Sequence, residues 1–348
     1  MNAQEANQND TPQLRILTCN IEMLPTPLGD DKENKPRAEK ICEKLNEGDY
    51  DIICLQELFD EDMRDIFADK LEDKYHNQIK KADAGNIFRQ DSGLFIASKH
   101  NFIIQDTLYY FEPFYSCGTS DCLAEKGILA VRFDLGDIRR KFELIIYNTH
   151  LQSDQQFVGE FREVRFSQMQ QIRKLLQRSM GKIYVPLRDD TAALLLGDTN
   201  IPGDSAECDE FLKTLEYGRD LYRKVREKDE EDTDDEEHSE GMEETKDEEN
   251  TDDILDWHGY TWDYQLNKNM IPSTDRDRLR LDYIIALEHI PPDPAKLRTG
   301  RIPPEQEPDT MHIRKLKCLK CDVQRFGEKG DVDSRLSDHF AVEAVLNV

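Results

Sequence analysis

Eight apolar runs of seven to ten residues punctuate the chain, and they limit its fold more than any other feature. They are LRILTCNI (14–21), YDIICLQEL (50–58), SGLFIASK (92–99), GILAVRFDL (127–135), FELIIYNTHL (142–151), AALLLGDTN (192–200), LDYIIAL (281–287) and FAVEAVLNV (340–348). Several are apolar on successive positions, the pattern of strands covered on both faces. Helical patterns lie between them: PRAEKICEKLNE (36–47), DEDMRDIFADKLEDKY (60–75), EFREVRFSQMQQIRKLLQRSM (160–180) and ECDEFLKTLEYG (207–218). Strands alternating with helices predict an α/β layered domain. With 348 residues, 37% of them hydrophobic, the chain can build a sizeable core.

Charge is unevenly spread. Of the net charge of -27, about -15 comes from segment 227–253, which holds 17 acidic and 2 basic residues. Such a stretch cannot bury enough apolar surface to order itself, so the expectation is a solvated, disordered insertion. Strand-like segments on both sides of it indicate that it interrupts one domain, spanning 14–348, rather than dividing two. Residues 1–13 read as a disordered N-terminus, and 290–308 is too proline-dense for regular structure. The remaining charge is still acidic, so the basic stripe of a nucleic-acid binder is missing and such a partner is not expected.

No stretch has the length of a transmembrane helix or the form of a secretory leader, which points to a cytoplasmic protein able to work at the periphery of membranes. The eight cysteines are irregularly spaced and do not suggest a disulfide framework. Cys318 and Cys321 have zinc-ligand spacing, and Cys117 with Cys122 could complete a four-sulfur site; plain reduced thiols are the simpler reading.

Metal-competent polar residues gather at strand ends. Asn20 ends the first run, Gln56 and Glu57 the second, Asn148 and His150 the fifth, Asp198 and Asn200 the sixth; Asp282 and the pair Asp338 and His339 adjoin the last two. In open α/β sheets, ligands bind at such edges. Each residue alone has a plain structural explanation, such as a turn or a helix start, but their conjunction does not. Hydrolysing a phosphodiester near neutral pH needs a hard cation on oxygen ligands, donors to the phosphoryl oxygens and a base for water. Glu57 with Asn20 offers a sparse oxygen site suited to magnesium. His339 is the candidate base, and Asp282 could bond its imidazole and fix the tautomer.

The set CNIEML, LQE, YNTHL, LLGDTN, LDYI and SDHF resembles the endonuclease/exonuclease/phosphatase superfamily, in that family's order and over nearly the whole chain. The resemblance implies a four-layered α/β sandwich in which two packed, mostly antiparallel sheets are flanked by helices. It implies Mg2+, with Mn2+ or Co2+ as substitutes, held by Glu57 and Asn20, and Asp338 as a second metal contact or structural partner. It places Asn200 and His150 around the phosphate, Asp198 beside the leaving group or nucleophile, Asp282 as orienter and His339 as base.

Three further runs resemble sphingomyelinases: NIEMLP (20–25), SCGTSDCLAEKGILAVRF (116–133), with its Lys-Gly before a strand, and GYTWDYQLN (259–267). They imply a phospholipid substrate at a membrane surface, hydrolysed to ceramide and phosphocholine. The alternatives within the fold are an apurinic-site nuclease and an inositol-polyphosphate phosphatase, both of which call for basic residues around the site. A binding module that has lost the chemistry would be expected to lack the metal Glu or the His.

Overall fold

A computed structural model gives the architecture. It describes residues 12–25, 31–81, 91–109, 124–136, 142–154, 161–182, 191–215, 218–234, 259–267, 270–271, 277–287, 289–290, 311–312, 314–326 and 336–348. One six-stranded sheet contains β1 (Gln13–Met23), β2 (Ile52–Leu58), β3 (Asn77–Ile79), β4 (Phe95–Ser98), β15 (Lys317–Gln324) and β16 (Ala341–Asn347), in the order β15-β16-β1-β2-β4-β3. The other contains β5 (Phe102–Tyr109), β6 (Gly127–Asp134), β7 (Glu143–His150), β8 (Thr191–Asp198), β9 (Gly218–Asp220) and β12 (Asp282–Leu287), in the order β5-β6-β7-β8-β12-β9. Two short ribbons pair β10 (Trp262–Asp263) with β11 (Arg278–Leu279), and β13 (His289–Ile290) with β14 (Met311–His312).

Each large sheet has four antiparallel pairings and one parallel pairing. The parallel pairs, β1 with β2 and β7 with β8, are the ones joined through a helix: α1 (Asp31–Gly48) in the first case and α3 (Arg162–Lys182) in the second. Parallel neighbours need such a crossover, because a tight turn can only reverse the chain.

The sheets face each other across a core that includes Ile16, Cys54, Leu129, Ile146, Leu196, Ile284 and Val342. Ile41, Leu45 of α1 and Phe67, Leu71 of α2 (Glu61–Leu71) cover the outside of the first sheet. Ile172, Leu176 of α3 and Phe211 of α4 (Ala206–Thr214) cover the second. Helix, sheet, sheet, helix is the four-layered sandwich implied by the resemblance. Because the central strands are covered on both sides, all eight residues of β7 and all eight of β8 are buried.

Three details differ from expectation. The first helix starts at Asp31 rather than Pro36. Strands β5 and β15 arise from less continuous apolar sequence than the other long strands. The acidic segment begins inside α5 (Leu221–Asp234), so residues 227–234 are helical while 235–253 lie outside the described residues. The first turns of α5 explain this: Leu221 and Tyr222 are buried and Val225 packs against the core. Arg226 bonds Asp322 at 2.6 Å and lies over the Tyr222 ring. A helix nucleated on such contacts extends over Glu227, Lys228, Glu230 and Glu231, which favour it, although Asp229, Asp232, Thr233 and Asp234 do not.

Of the 290–308 loop, only Ile290 is described, in β13. Cys318 and Cys321 are buried thiols, outside any disulfide, that join the core between the sheets. A register shift between Cys318 and Lys320 puts them on the same face despite their three-residue spacing. Cys117 and Cys122 lie outside the described residues.

One polar tie crosses the core. Gln56 Nε2 donates to Asn148 Oδ1 at 2.7 Å and to Thr18 Oγ1 at 2.9 Å, and Asn148 Nδ2 donates to the Leu55 carbonyl at 3.1 Å. A buried acceptor that loses its donor costs about 1–3 kcal/mol. Gln56→Ala is therefore expected to destabilise the fold by about that amount, seen as a lower urea midpoint with an unchanged slope. An unchanged midpoint would show that the tie is energetically idle.

Candidate active site

The site lies at one end of the sandwich, where the C-terminal ends of β1, β2, β7 and β8 meet the N-terminal ends of the antiparallel β12 and β16. Register does much of the assembly. Asp198 pairs with His150 across β7 and β8 and with Asp282 across β12 and β8, so three strand ends present His, Asp and Asp side by side. Gly197, at φ 128°, permits this approach, since a Cβ there would lie 2.0 Å from the Thr149 carbonyl.

The first sheet contributes Asn20 and Glu57. Asn20 Nδ2 donates to Glu57 Oε1 and to Asp198 Oδ2, both at 3.0 Å, and its Oδ1 accepts from the Glu22 amide at 3.1 Å. Asn20 thus ties the carboxylates of the two sheets together. Glu57, Glu22 and Asn200 all have positive φ, near 50–58°. Non-glycine residues occupy that region rarely, and such strain gathers where side-chain direction matters. Gln56 continues the inter-sheet face of Ile52 and Cys54 into the core tie, whereas Glu57 follows the helix-side face of Ile53 and Leu55 and reaches the site where its positive φ breaks the pleat. Asn148 shares the inter-sheet face of His150 but lies one pleat deeper, where its side chain joins the Gln56 tie. Both residues belong by sequence to the strand-end set, and the structure places them outside the site.

His339 Nδ1 is 2.8 Å from Asp282 Oδ2, which fixes the ring with Nε2 facing Asp198 Oδ2 at 3.7 Å. The Trp262 ring meets the imidazole edge-on, with centroids 5.1 Å apart. Around this dyad the 259–267 segment acts as a strap. Thr261 Oγ1 accepts from the Leu281 and Asp282 amides, and its carbonyl accepts from the Phe340 amide. Asn267 Nδ2 donates to the Ser337 carbonyl, while Ser337 Oγ donates to the Asn20 carbonyl at 2.8 Å.

On the other side, His150 Nε2 lies 3.6 Å from Asp198 Oδ2 and 3.7 Å from Glu57 Oε1. Lys126 Nζ approaches both ring nitrogens at 3.2 and 3.4 Å and donates to the Leu151 carbonyl. Asn200 donates its amide to Asp198 Oδ1 at 2.8 Å and its side-chain nitrogen to the Leu151 carbonyl. Lys126, Trp262, Ser337 and Glu22 are the members that strand-end reasoning misses. For Lys126 and Trp262 the available signal is their place in the Lys-Gly and Thr-Trp-Asp runs.

The electrostatics are those of crowded carboxylates. Burial, then the neighbouring Asp338, raises Glu57 to about 7, and the same two causes raise Glu22 to about 9. Burial also raises Asp338. Burial opposes the charged form of His339, but Asp282 and Asp198 outweigh it and hold the imidazole well above its usual value. These are the marks of a site built for added positive charge. A cation among the carboxylates would relieve their mutual repulsion and free His339 to accept a proton. Oxygen donors on Glu57, Asp338 and Asp198 suit a hard divalent ion. Asp198, Asp282 and His339 also bring ligand atoms within 4.8 Å of one another. There, however, Nδ1 and Oδ2 already share the 2.8 Å contact.

Known proteins of this shape include beta toxin from Staphylococcus aureus, with a TM-score of 0.61 at 18% identity over 95% of this chain and 99% of that one. A second beta toxin structure, of a mutant form, carries bound magnesium ions (TM-score 0.60, 17% identity, 96% of this chain and 99% of that one). D. rerio TDP2, complexed with a single-strand DNA product, has a TM-score of 0.56 at 18% identity over 97% and 99% of the two chains. At these identities the likeness is one of fold. In sequence, sphingomyelinase C of Bacillus cereus is 27% identical over 216 residues, which is 58% of this chain and 60% of that protein's length. The model of the Endonuclease/Exonuclease/phosphatase family matches residues 17–339, from within β1 to the histidine of the dyad. The chain belongs to that family.

Proposed function

We propose that the chain is a magnesium-dependent phosphodiesterase that hydrolyses a sphingomyelin-type phospholipid to ceramide and phosphocholine. Family membership supports chemistry at a phosphoric ester with a divalent metal. The observation that carries the catalytic reading is the Asp282–His339 dyad aimed across a 3.7 Å gap at Asp198. The lipid choice is supported by similarity to sphingomyelinase C, which includes neither the whole of that protein nor the whole of this chain.

Glu57 and Asp338, with Asn20 beside them, would hold the cation, which when bound supplies positive charge at the phosphoryl oxygens. Asp282 accepts from Nδ1–H and keeps Nε2 of His339 as the basic nitrogen. Nε2 takes the proton of the attacking water as its oxygen bonds to phosphorus, while the bond from phosphorus to the ceramide oxygen breaks and that oxygen takes a proton from solvent. Asp198, held by Asn20 and the Asn200 amide, orients that water or the departing oxygen. His150 and Asn200 donate to phosphoryl oxygens, and Lys126 fixes the His150 ring.

The second reading, a phosphodiester in nucleic acid, has the fold shared with TDP2 in its favour and the acidic net charge against it. With magnesium present, fluorescent sphingomyelin in mixed micelles is expected to be cleaved and abasic duplex DNA left intact. Cleavage of the DNA alone would end the lipid reading.

A further inference from the structure

Strand β1 loses its regular pairing just where it enters the site. Its register with β2 shifts between Asn20 and Met23, and its pairing with β16 ends at Thr18. Glu22, inside this irregular stretch, has φ 50°. A bulge leaves backbone groups that must bond elsewhere, and a non-glycine residue keeps a positive φ only where its surroundings over-determine it. The support here comes from α1, on the outer side of the sheet.

Arg37 of α1 meets the strand end with its guanidinium. Nη2 donates to the Ile21 carbonyl at 2.9 Å, and Nη1 donates to the Glu22 carbonyl at 3.3 Å and to Asn34 Oδ1 at 3.1 Å. Nη2 also lies 3.5 Å from Glu22 Oε2. The third nitrogen serves another part of the chain: Nε donates to the Leu336 carbonyl at 2.8 Å, 299 residues away in sequence. Leu336 leads directly into Ser337, Asp338 and His339, and Ser337 Oγ donates back to the Asn20 carbonyl at 2.8 Å. Helix, strand end and C-terminal segment thus close into one ring of bonds, and Arg37 is the member that touches all three.

We propose that Arg37 is a positioning residue of the catalytic centre, which sets Asp338 and His339 against Asn20 and Glu57 by holding both segments in one guanidinium fork. The inference rests on the phosphodiesterase reading, though not on the choice of lipid. A planar group with donors in fixed directions can serve three carbonyls at once, which a single ammonium cannot do. Groups that orient a metal site from behind typically carry about 10–100-fold of its affinity or activity. A displacement of about 1 Å at reacting groups costs about a hundredfold in rate.

The test compares the full chain with Arg37→Lys, Arg37→Ala and Arg15→Ala. Arg15 is a control of the same kind at the other end of β1: it also ties the strand to α1, through the Gly48 carbonyl, and to β16, through Glu343 at 2.8 Å. Five residues of strand separate it from Asn20, roughly 15–20 Å. Magnesium binding is read by calorimetry without substrate, and kcat and KM on fluorescent sphingomyelin in mixed micelles. Arg37→Lys keeps the charge and loses the fork, and is expected to bind magnesium about tenfold more weakly and to lose about a hundredfold in kcat with little change in KM. Methylguanidinium should restore part of the rate of Arg37→Ala. Arg15→Ala is expected to melt at a lower temperature yet to match wild type in magnesium affinity and kcat, and methylguanidinium should not alter it. Wild-type magnesium affinity and kcat in Arg37→Lys would overturn the inference, and so would an equal fall in Arg15→Ala, which would reduce the effect to stability. If wild type cleaves no phosphodiester, the functional reading fails, and the magnesium titration still decides the role of Arg37: equal affinity in wild type and Arg37→Lys overturns it.

Discussion

His339→Ala is expected to lower kcat for phosphodiester hydrolysis by about a thousandfold to ten-thousandfold, with little change in KM. A positioned general base contributes up to about 10^4, and His339 is the group whose free nitrogen faces the gap beside Asp198. Asp282→Asn should fall almost as far, because an amide can donate to Nδ1 and reverse the tautomer. The decisive result is the combination. If Asp282 acts only through the imidazole, the double variant is no slower than His339→Ala, since residues acting as a unit are not additive. A further hundredfold loss would instead give Asp282 a role of its own, as in a cation site shared with Asp198. Full activity in His339→Ala would remove the proposed mechanism.

Much of this site is legible in the sequence, for a physical reason. A strand buried on both faces is apolar on successive positions, so the first polar residue after it marks the end of the strand and stands out. That is why Asn20, Glu57, His150, Asp198, Asp282 and His339 can be read off the sequence. What such reading lacks is pleat direction and partner. Gln56 and Glu57 differ only in phase, yet one ties the sheets together and the other enters the site. Asn148 has the same phase as His150 and differs from it only in lying one pleat deeper between the sheets, where it meets Gln56. The convergence itself depends on the order β7-β8-β12, a pairing between segments more than 80 residues apart that no local pattern encodes. Lys126 precedes an apolar strand as many lysines do, and only the fold lays its amine against His150. The extension of α5 into the acidic segment likewise follows from Leu221 and Tyr222 meeting the core, which composition alone hides.

Glu57→Gln, or removal of the metal with EDTA, is expected to reduce hydrolysis by about a thousandfold or more, because a bound cation supplies several kcal/mol of transition-state charge stabilisation. Excess magnesium should partly rescue the variant, and its return to the EDTA-treated wild type should restore the rate fully. A second readout does not depend on turnover. Glu57 is raised from 4.5 to about 7, by burial first and Asp338 second. A carboxylate raised in the folded state stays protonated there while the unfolded chain releases its proton, so its ionisation costs stability as pH climbs. Metal-free wild type should accordingly lose stability between about pH 4.5 and pH 7, and Glu57→Gln should lose less over that window. Magnesium is expected to bind the ionised form and reverse the trend, raising the wild-type melting temperature at pH 7 by mass action while leaving that of Glu57→Gln nearly unmoved. Equal magnesium stabilisation of both proteins would move the cation away from Glu57, and survival of the full rate in EDTA would reject a metal step altogether.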